Sequence, residues 1–288
     1  MIFNSFNSSA SNFYNDNGYC HIRVDDSDFL NLIKFNFKYY CDQNVPGQRA
    51  FKNENGIARH VINLLRDKNS PSIQLIKSNI INLINKKIFD NNELQCITHS
   101  KLSFKEINES TDWYCHQDNA YRKKNRSINR KSYSIFIPLE KMSKSNGGLE
   151  IIPGSNKTGL VDHSLVIENE KTMESQLKID EDKIKGSFKA LECEQGDIII
   201  FSGKTIHRSG SNNSNSKRLC LIFEFEVYQN FLFDDYGQIP IFVNGQLSLF
   251  RQIKLYIYSL FSIHRAWHKI REVNLLRKFF LSLKYKKL

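Results

Sequence analysis

Residues 94–107 read LQCITHSKLSFKEI, and here the hydrophobic period of the chain shortens from helical to strand-like. Working downstream, residues 131–139, 149–152, 187–191, 197–201 and 218–228 read as further strands. Turn signals separate them: Asn146-Gly147-Gly148, Pro153-Gly154-Ser155 and Gln195-Gly196-Asp197. Working upstream, the pattern is different. Residues 28–40 carry apolar side chains at helical spacing, and Ser70-Pro71 reads as an N-cap followed by the first helical residue. Ile73, Ile76, Ile80, Leu83, Ile84 and Ile88 then predict one face of a helix ending near Phe89. Residues 19–24 suggest a short strand, and the Asn/Ser-rich residues 1–18 suggest irregular chain. The expected fold class is therefore mainly β with flanking helices: a helical front over about 25–90, then a β-sandwich or jelly-roll core over about 94–230. Residues 160–186 are polar, with Asp180, Glu181 and Asp182 clustered, and read as a long connection of the kind that serves as a lid.

Composition narrows the class. The chain has 288 residues with 40% hydrophobic and 25% charged, enough apolar surface for a core. No run of about 18 apolar residues predicts a membrane span, and the N-terminus has neither the basic nor the apolar region of a secretory signal. The six cysteines form no C-x-x-C pair, which favours reduced thiols and a cytoplasmic setting over a disulfide scaffold. The net charge of +11 is uneven. Residues 251–288 hold ten Lys/Arg against one acid, a net +9, leaving +2 for the first 250 residues. In that tail Ile263, Trp267, Ile270, Val273, Leu276, Phe280 and Leu283 recur every three or four residues. The expectation is a body over 1–250 and a basic amphipathic helix over 251–288. Such a helix suits the inner face of an anionic membrane, or else packs on the body. Nucleic acid is disfavoured, because its footprint spreads charge over the body.

The chemistry centres on Trp113-Tyr114-Cys115-His116-Gln117-Asp118. On an extended strand, His-x-Asp places an imidazole and a carboxylate on one side, where both reach one metal. His207, after the apolar run 198–201, is the candidate third ligand. Two histidines and a carboxylate form the facial triad of non-heme Fe(II) oxygenases, whose opposite face stays open. Eleven residues later Arg218 opens the last strand, which is expected to run beside that of His207. A buried guanidinium there calls for an anion, and the cosubstrate 2-oxoglutarate brings a carboxylate that fits its fork. Ser209 is placed to donate a second hydrogen bond to it. His163 suits a substrate polar group or a solvated loop equally. His264 and His268 sit four apart on the tail with no third ligand, so no metal is assigned there.

At these residues the sequence resembles the phytanoyl-CoA dioxygenase family of Fe(II)/2-oxoglutarate oxygenases. The matching pieces are His116-Gln117-Asp118 with Tyr121, Ile137-Pro138-Leu139, Asn146-Gly147-Gly148-Leu149, Ile152-Pro153-Gly154-Ser155 and Gly196-Asp197-Ile198. They lead through His207 to Arg218, in the family's order. The resemblance implies a double-stranded β-helix (jelly roll, cupin-like), with His116, Asp118 and His207 as the iron-binding and catalytic set. It implies Arg218 with Ser209 as the 2-oxoglutarate clamp and Gln117 beside the metal. Asn156 and Cys115 depart from the family pattern without touching those roles. The implied activity is hydroxylation of an unactivated C–H bond using O2, with succinate and CO2 as co-products. The substrate class stays open between a small metabolite, a lipid and a lipid-linked glycan, the last as in membrane-associated lipopolysaccharide sugar hydroxylases. A non-catalytic jelly-roll binding module is the alternative.

Overall fold

The computed structural model describes residues 1–41, 48–52, 58–66, 69–89, 95–109, 112–122, 131–169, 174–227 and 239–241. In chain order the elements are α1 (Ser8–Asn17), β1 (Tyr19–Ile22), α2 (Ser27–Tyr40), β2 (Gln48–Lys52), β3 (Ala58–Ile62), α3 (Ser72–Ile76) and α4 (Asn79–Ile88). The strands β4 (Gln95–Lys105), β5 (Trp113–His116), β6 (Ser132–Pro138), β7 (Leu149–Ile151), β8 (Ser164–Asn169) and β9 (Glu174–Lys178) follow. The remainder are β10 (Lys189–Ala190), β11 (Ile198–Ser202), β12 (His207–Ser209), β13 (Arg218–Val227) and β14 (Ile239–Ile241). A major sheet runs β1-β11-β6-β13-β4-β3-β2, with β14 also on β4, and a minor sheet runs β10-β7-β12-β5. Together they make the double-stranded β-helix that the sequence predicts.

Strand alternation splits the core in two. Leu102, Leu221 and Phe223 of the major sheet face outward and pack with Phe29, Ile33 and Ile84 of the helices. Phe136, Ile199 and Phe201 face inward, toward Leu149 and Ile151 of the minor sheet. Each such side chain, fully buried, stabilises the fold by about 1.5–3 kcal/mol, so both faces of the major sheet are anchored and the sheet is a rigid floor for whatever lies inside.

Several upstream expectations change. Residues 1–18 are not irregular: α1 forms because the Asn7 side chain accepts from the Ala10 N–H at 3.0 Å and Gly18, at φ 73°, closes the far end on the Tyr14 carbonyl at 2.7 Å. Between α2 and α3 the chain pairs β2 with β3 as a hairpin rather than continuing helical. The helix expected over 70–89 is two. Ser70 turns its hydroxyl to Tyr40 instead of capping, and Ser78 caps a fresh start by accepting from Ile81 N–H. That break resets the phase, which leaves Leu83 exposed rather than on the buried face. Within 160–186, β8 and β9 form a hairpin, tied to β5 by the Ile179 N–H to the Cys115 carbonyl at 2.8 Å. No helix among the described residues is long and apolar enough to cross a membrane. The basic tail, with its two histidines, lies outside the described residues.

Candidate metal and cosubstrate site

β12 pairs with β5 in the minor sheet, and the register sets His207 directly opposite His116. Their ring centroids are 4.3 Å apart. β5 ends at His116, and Asp118 opens a short 3-10 turn, so the local geometry is a strand followed by a bend rather than the unbroken strand expected. The bend still brings Asp118 Oδ1 to 3.6 Å from His116 Nε2 and 3.5 Å from His207 Nε2. One ligand atom from each residue lies within 4.8 Å of the others, and all three residues are buried.

The surroundings fix which atoms face inward. The Nδ1–H of His116 donates to the Tyr114 carbonyl at 2.6 Å, and that of His207 to the Thr205 carbonyl at 3.0 Å. Each carbonyl can only accept, so each Nε2 is left unprotonated as a ligand, the usual outer support of a metal-binding histidine. Ser134 donates to Asp118 Oδ2 at 2.6 Å, leaving Oδ1 to the cluster. Burial pushes the Asp118 pKa up, but His207, His116 and Lys101 outweigh it and hold the carboxyl well below its ordinary range. Burial and His116 push His207 down to about 4, so its imidazole is neutral near pH 7. This donor set fits a divalent iron: two imidazoles and one carboxylate converge on a single point.

Gln117, between His116 and Asp118, is fully buried. Its amide donates to the Gly159 carbonyl at 2.7 Å and the Lys204 carbonyl at 2.6 Å, and its Oε1 accepts from the Val161 N–H at 2.9 Å. The side chain therefore ties the His116–Asp118 bend to the segment leading into His207. His163 completes the tie: its Nε2 accepts from the Gln117 backbone N–H at 3.1 Å, and its Nδ1–H donates to the Val161 carbonyl at 2.8 Å. Of the two readings of His163 from sequence, the solvated one is excluded by its 4% exposure. Tyr121 packs its ring edge-on to His116 at 5.6 Å.

Arg218 does not stand beside His207 as expected. β13 lies in the major sheet between β4 and β6, across the barrel from β12. The loop between them crosses from sheet to sheet, held where the Asn212 amide donates to the Glu106 and Ser216 carbonyls at 2.8 Å each. Arg218 nevertheless points inward and is 1% exposed. Its terminal nitrogens donate to Ser103 Oγ and Cys220 Sγ, both at 3.1 Å. Its Nε has no partner, and no carboxylate among the described residues lies within ion-pair distance of the guanidinium. Lys105, its cross-strand neighbour, donates to the Ser209 carbonyl at 3.1 Å and to that of Gly210. Burial, then Arg218, lower the Lys105 pKa to about 7. Ser209 is buried there too, with its hydroxyl donating to the Gly147 carbonyl at 2.8 Å. Ser103, Ser134 and Lys105 escaped the sequence reading. For Ser103 and Lys105 the signal was available in the second half of β4, where Lys101, Ser103 and Lys105 alternate with Leu102 and Phe104.

A second buried group, His21, Cys193 and Asp197, has metal-like spacing. Asp197 is already engaged: it accepts from His21 at 2.8 Å, from Arg23 through both oxygens at 3.1 and 3.3 Å, and from the Glu194 N–H at 3.0 Å. It is an ion-pair hub joining β1 to the turn before β11.

The phytanoyl-CoA dioxygenase domain-containing protein 1 homolog of Dictyostelium discoideum is 33% identical over 96 residues, 33% of this chain and 34% of that protein. The L-proline trans-4-hydroxylase of Streptomyces griseoviridis is 27% identical over 136 residues, 42% of this chain and 50% of that protein. The chain thus spans half or less of the length of these relatives. Among solved structures, EctD from S. alaskensis with 2-oxoglutarate and 5-hydroxyectoine superposes with a TM-score of 0.60 at 16% identity, covering 77% of this chain and 76% of that one. The family model of phytanoyl-CoA dioxygenase (PhyH) matches residues 27–220, a span that holds the His-Gln-Asp bend, His207 and Arg218 alike, and the chain belongs to that family.

Proposed function

We propose that the protein is an Fe(II)- and 2-oxoglutarate-dependent dioxygenase that hydroxylates an unactivated C–H bond of a small molecule. The balance is one substrate, one 2-oxoglutarate and one O2 giving the alcohol, succinate and CO2. The observation that carries the reading is the pairing of a buried His116/Asp118/His207 cluster with an equally buried Arg218 that has no carboxylate of its own among the described residues. The cluster residues would hold the iron, which supplies oxygen activation coupled to decarboxylation of the oxo acid. Arg218 binds the distal carboxylate, with the Lys105 ammonium beside it in the same buried end of the barrel. Ser209 reaches that carboxylate once its hydroxyl turns from the Gly147 carbonyl. Gln117 and His163 position the two metal-bearing segments, and the inward Phe136, Ile199 and Phe201 keep water from that side of the site.

The catalytic body falls within residues 1–250, and the charge and periodicity of residues 251–288 support either contact with an anionic membrane surface or packing on that body. The named activity of the proline hydroxylase relative supports a soluble metabolite as substrate over a lipid-linked one. Anaerobic calorimetric titration of 2-oxoglutarate into the Fe(II)-loaded protein tests the reading. Saturable 1:1 binding, weakened in Arg218→Ala, is expected. No binding to the wild type contradicts it and favours a module with another ligand.

A further inference from the structure

We propose that Lys101 recognises an oxyanion on the substrate, a carboxylate or phosphate, while Trp113 packs against the carbon skeleton beside it. This rests on the dioxygenase reading and names the substrate class for it.

Three polar side chains alternate along the inward face of β4: Lys101, Ser103 and Lys105. Ser103 accepts from Arg218, and Lys105 donates to two carbonyls of the β12–β13 connection. Both are committed to the cosubstrate end of the barrel. Lys101 is not. Among the described residues its ammonium makes no hydrogen bond, and its ion pair to Glu224 spans 3.8 Å. Closed pairs in the same protein are far shorter, 2.8 Å for His21–Asp197 and 2.7 Å for Arg208–Glu181. Lys101 cannot simply extend into bulk water, because its side chain is only 22% exposed. Its Cα partner on β13 is Ile222, an inward-facing residue. Its ion-pair partner Glu224 lies opposite Ser134 in the β13–β6 register, and Ser134 donates to Asp118, which puts Lys101 on the metal's side of the barrel. A desolvated ammonium with unspent donors is costly until an acceptor arrives.

The neighbours suit a small charged molecule. The Trp113 indole lies 5.9 Å from the Lys101 ammonium and 5.9 Å from the Arg59 guanidinium, with the His60 ring at 4.6 Å. Burial, then Lys101, Arg218 and Arg59, keep His60 neutral, the signature of a positive local field. Arg59 faces Glu168 of β8 at 3.6 Å. An alkyl chain entering here would strip water from two cations and two carboxylates without replacing it, whereas an oxyanion replaces the water on Lys101 and leaves a flat apolar ring for its carbons. The distal carboxylate of 2-oxoglutarate is served by Arg218, so the free donors of Lys101 fall to the substrate.

The test is succinate formation by the Fe(II)-loaded full chain with matched probes: L-proline and other small amino acids against their carboxamides, and glycerol 3-phosphate against glycerol. At least one oxyanion probe is expected to raise turnover well above the probe-free rate, with its neutral counterpart inert. Lys101→Met is then expected to raise the KM for that probe about tenfold or more, while Lys101→Arg stays within about threefold. Equal stimulation by neutral counterparts, or by no oxyanion probe, overturns the proposal. So does a Lys101→Met variant whose KM rises for 2-oxoglutarate and not for the probe, because Lys101 then belongs to the cosubstrate. Failure of the underlying dioxygenase reading looks different: no 2-oxoglutarate consumption and no 2-oxoglutarate binding by the wild type.

Discussion

At the scale of single residues, the site depends on side chains that do not themselves meet a ligand. His163 accepts the one backbone N–H that lies between His116 and Asp118. His163→Leu leaves that N–H buried and unpaired, and metal affinity is expected to fall about 10- to 100-fold, in the range of outer-shell losses at metal sites. His163→Gln, which restores an acceptor, recovers most of it. Co(II) titration alongside thermal melting of the metal-free variants separates this from simple unfolding; equal affinities in wild type and His163→Leu would contradict the positioning role. Arg218→Lys keeps the charge but loses the fork, and 2-oxoglutarate affinity is expected to drop about 30-fold or more, close to the loss in Arg218→Ala. Lys105 gives a pH dependence. Its folded pKa, about 7, lies below the ordinary 10.5, so the unfolded chain binds the extra proton between these values and stability rises with pH. The melting temperature of the metal-free protein should climb from about pH 7 toward pH 9.0, the ordinary thiol value, above which the buried cysteines oppose it. A flat profile in Lys105→Met assigns the slope to this residue; a slope unchanged in the variant removes it.

At the scale of elements, the glycines of the predicted turns carry function into the barrel. Gly147 adopts φ 74°, and a Cβ there would come within 2.6 Å of the Lys105 side chain and 2.7 Å of the Gly210 carbonyl. Gly147→Ala therefore strains the turn and displaces the group next to Arg218, and weaker 2-oxoglutarate binding is expected from calorimetry, with iron binding retained. The Asn146-Gly147-Gly148 signal was legible as a turn, but its partner Lys105 was not, because a turn motif says nothing of what approaches it. The strands β4, β6, β7, β10, β11 and β13 were legible for a simple reason: alternation and short apolar runs survive in sequence, whereas the polar β8–β9 hairpin read as a connection. The helical front was less so. Ile73 to Ile88 looks like one stripe, and only the Ser78 hydroxyl bond to Ile81 reveals the break. Residues 1–18 hid a helix whose strength lies in its two caps rather than in apolar periodicity. The hairpin of β2 and β3 gave no clear period at all.

At the scale of the whole molecule, the two sheets bring together residues 102 positions apart in sequence, from His116 to Arg218. The clustering of His116, Asp118 and His207 was legible because the His-Gln-Asp bend, His207 and Arg218 fall in a recognisable order. The crossing of β13 to the opposite sheet was not, since a loop of Ser and Asn residues is as compatible with a hairpin as with a crossover. The central claim is that this arrangement consumes 2-oxoglutarate and oxygen together. Its most direct test is succinate formation from 2-oxoglutarate by freshly Fe(II)-loaded protein, wild type beside Asp118→Ala, with and without oxygen. Iron- and oxygen-dependent succinate from the wild type, abolished in Asp118→Ala, is the predicted result. Absence of succinate from the wild type with every small-molecule probe offered, or equal amounts from both proteins, would contradict it.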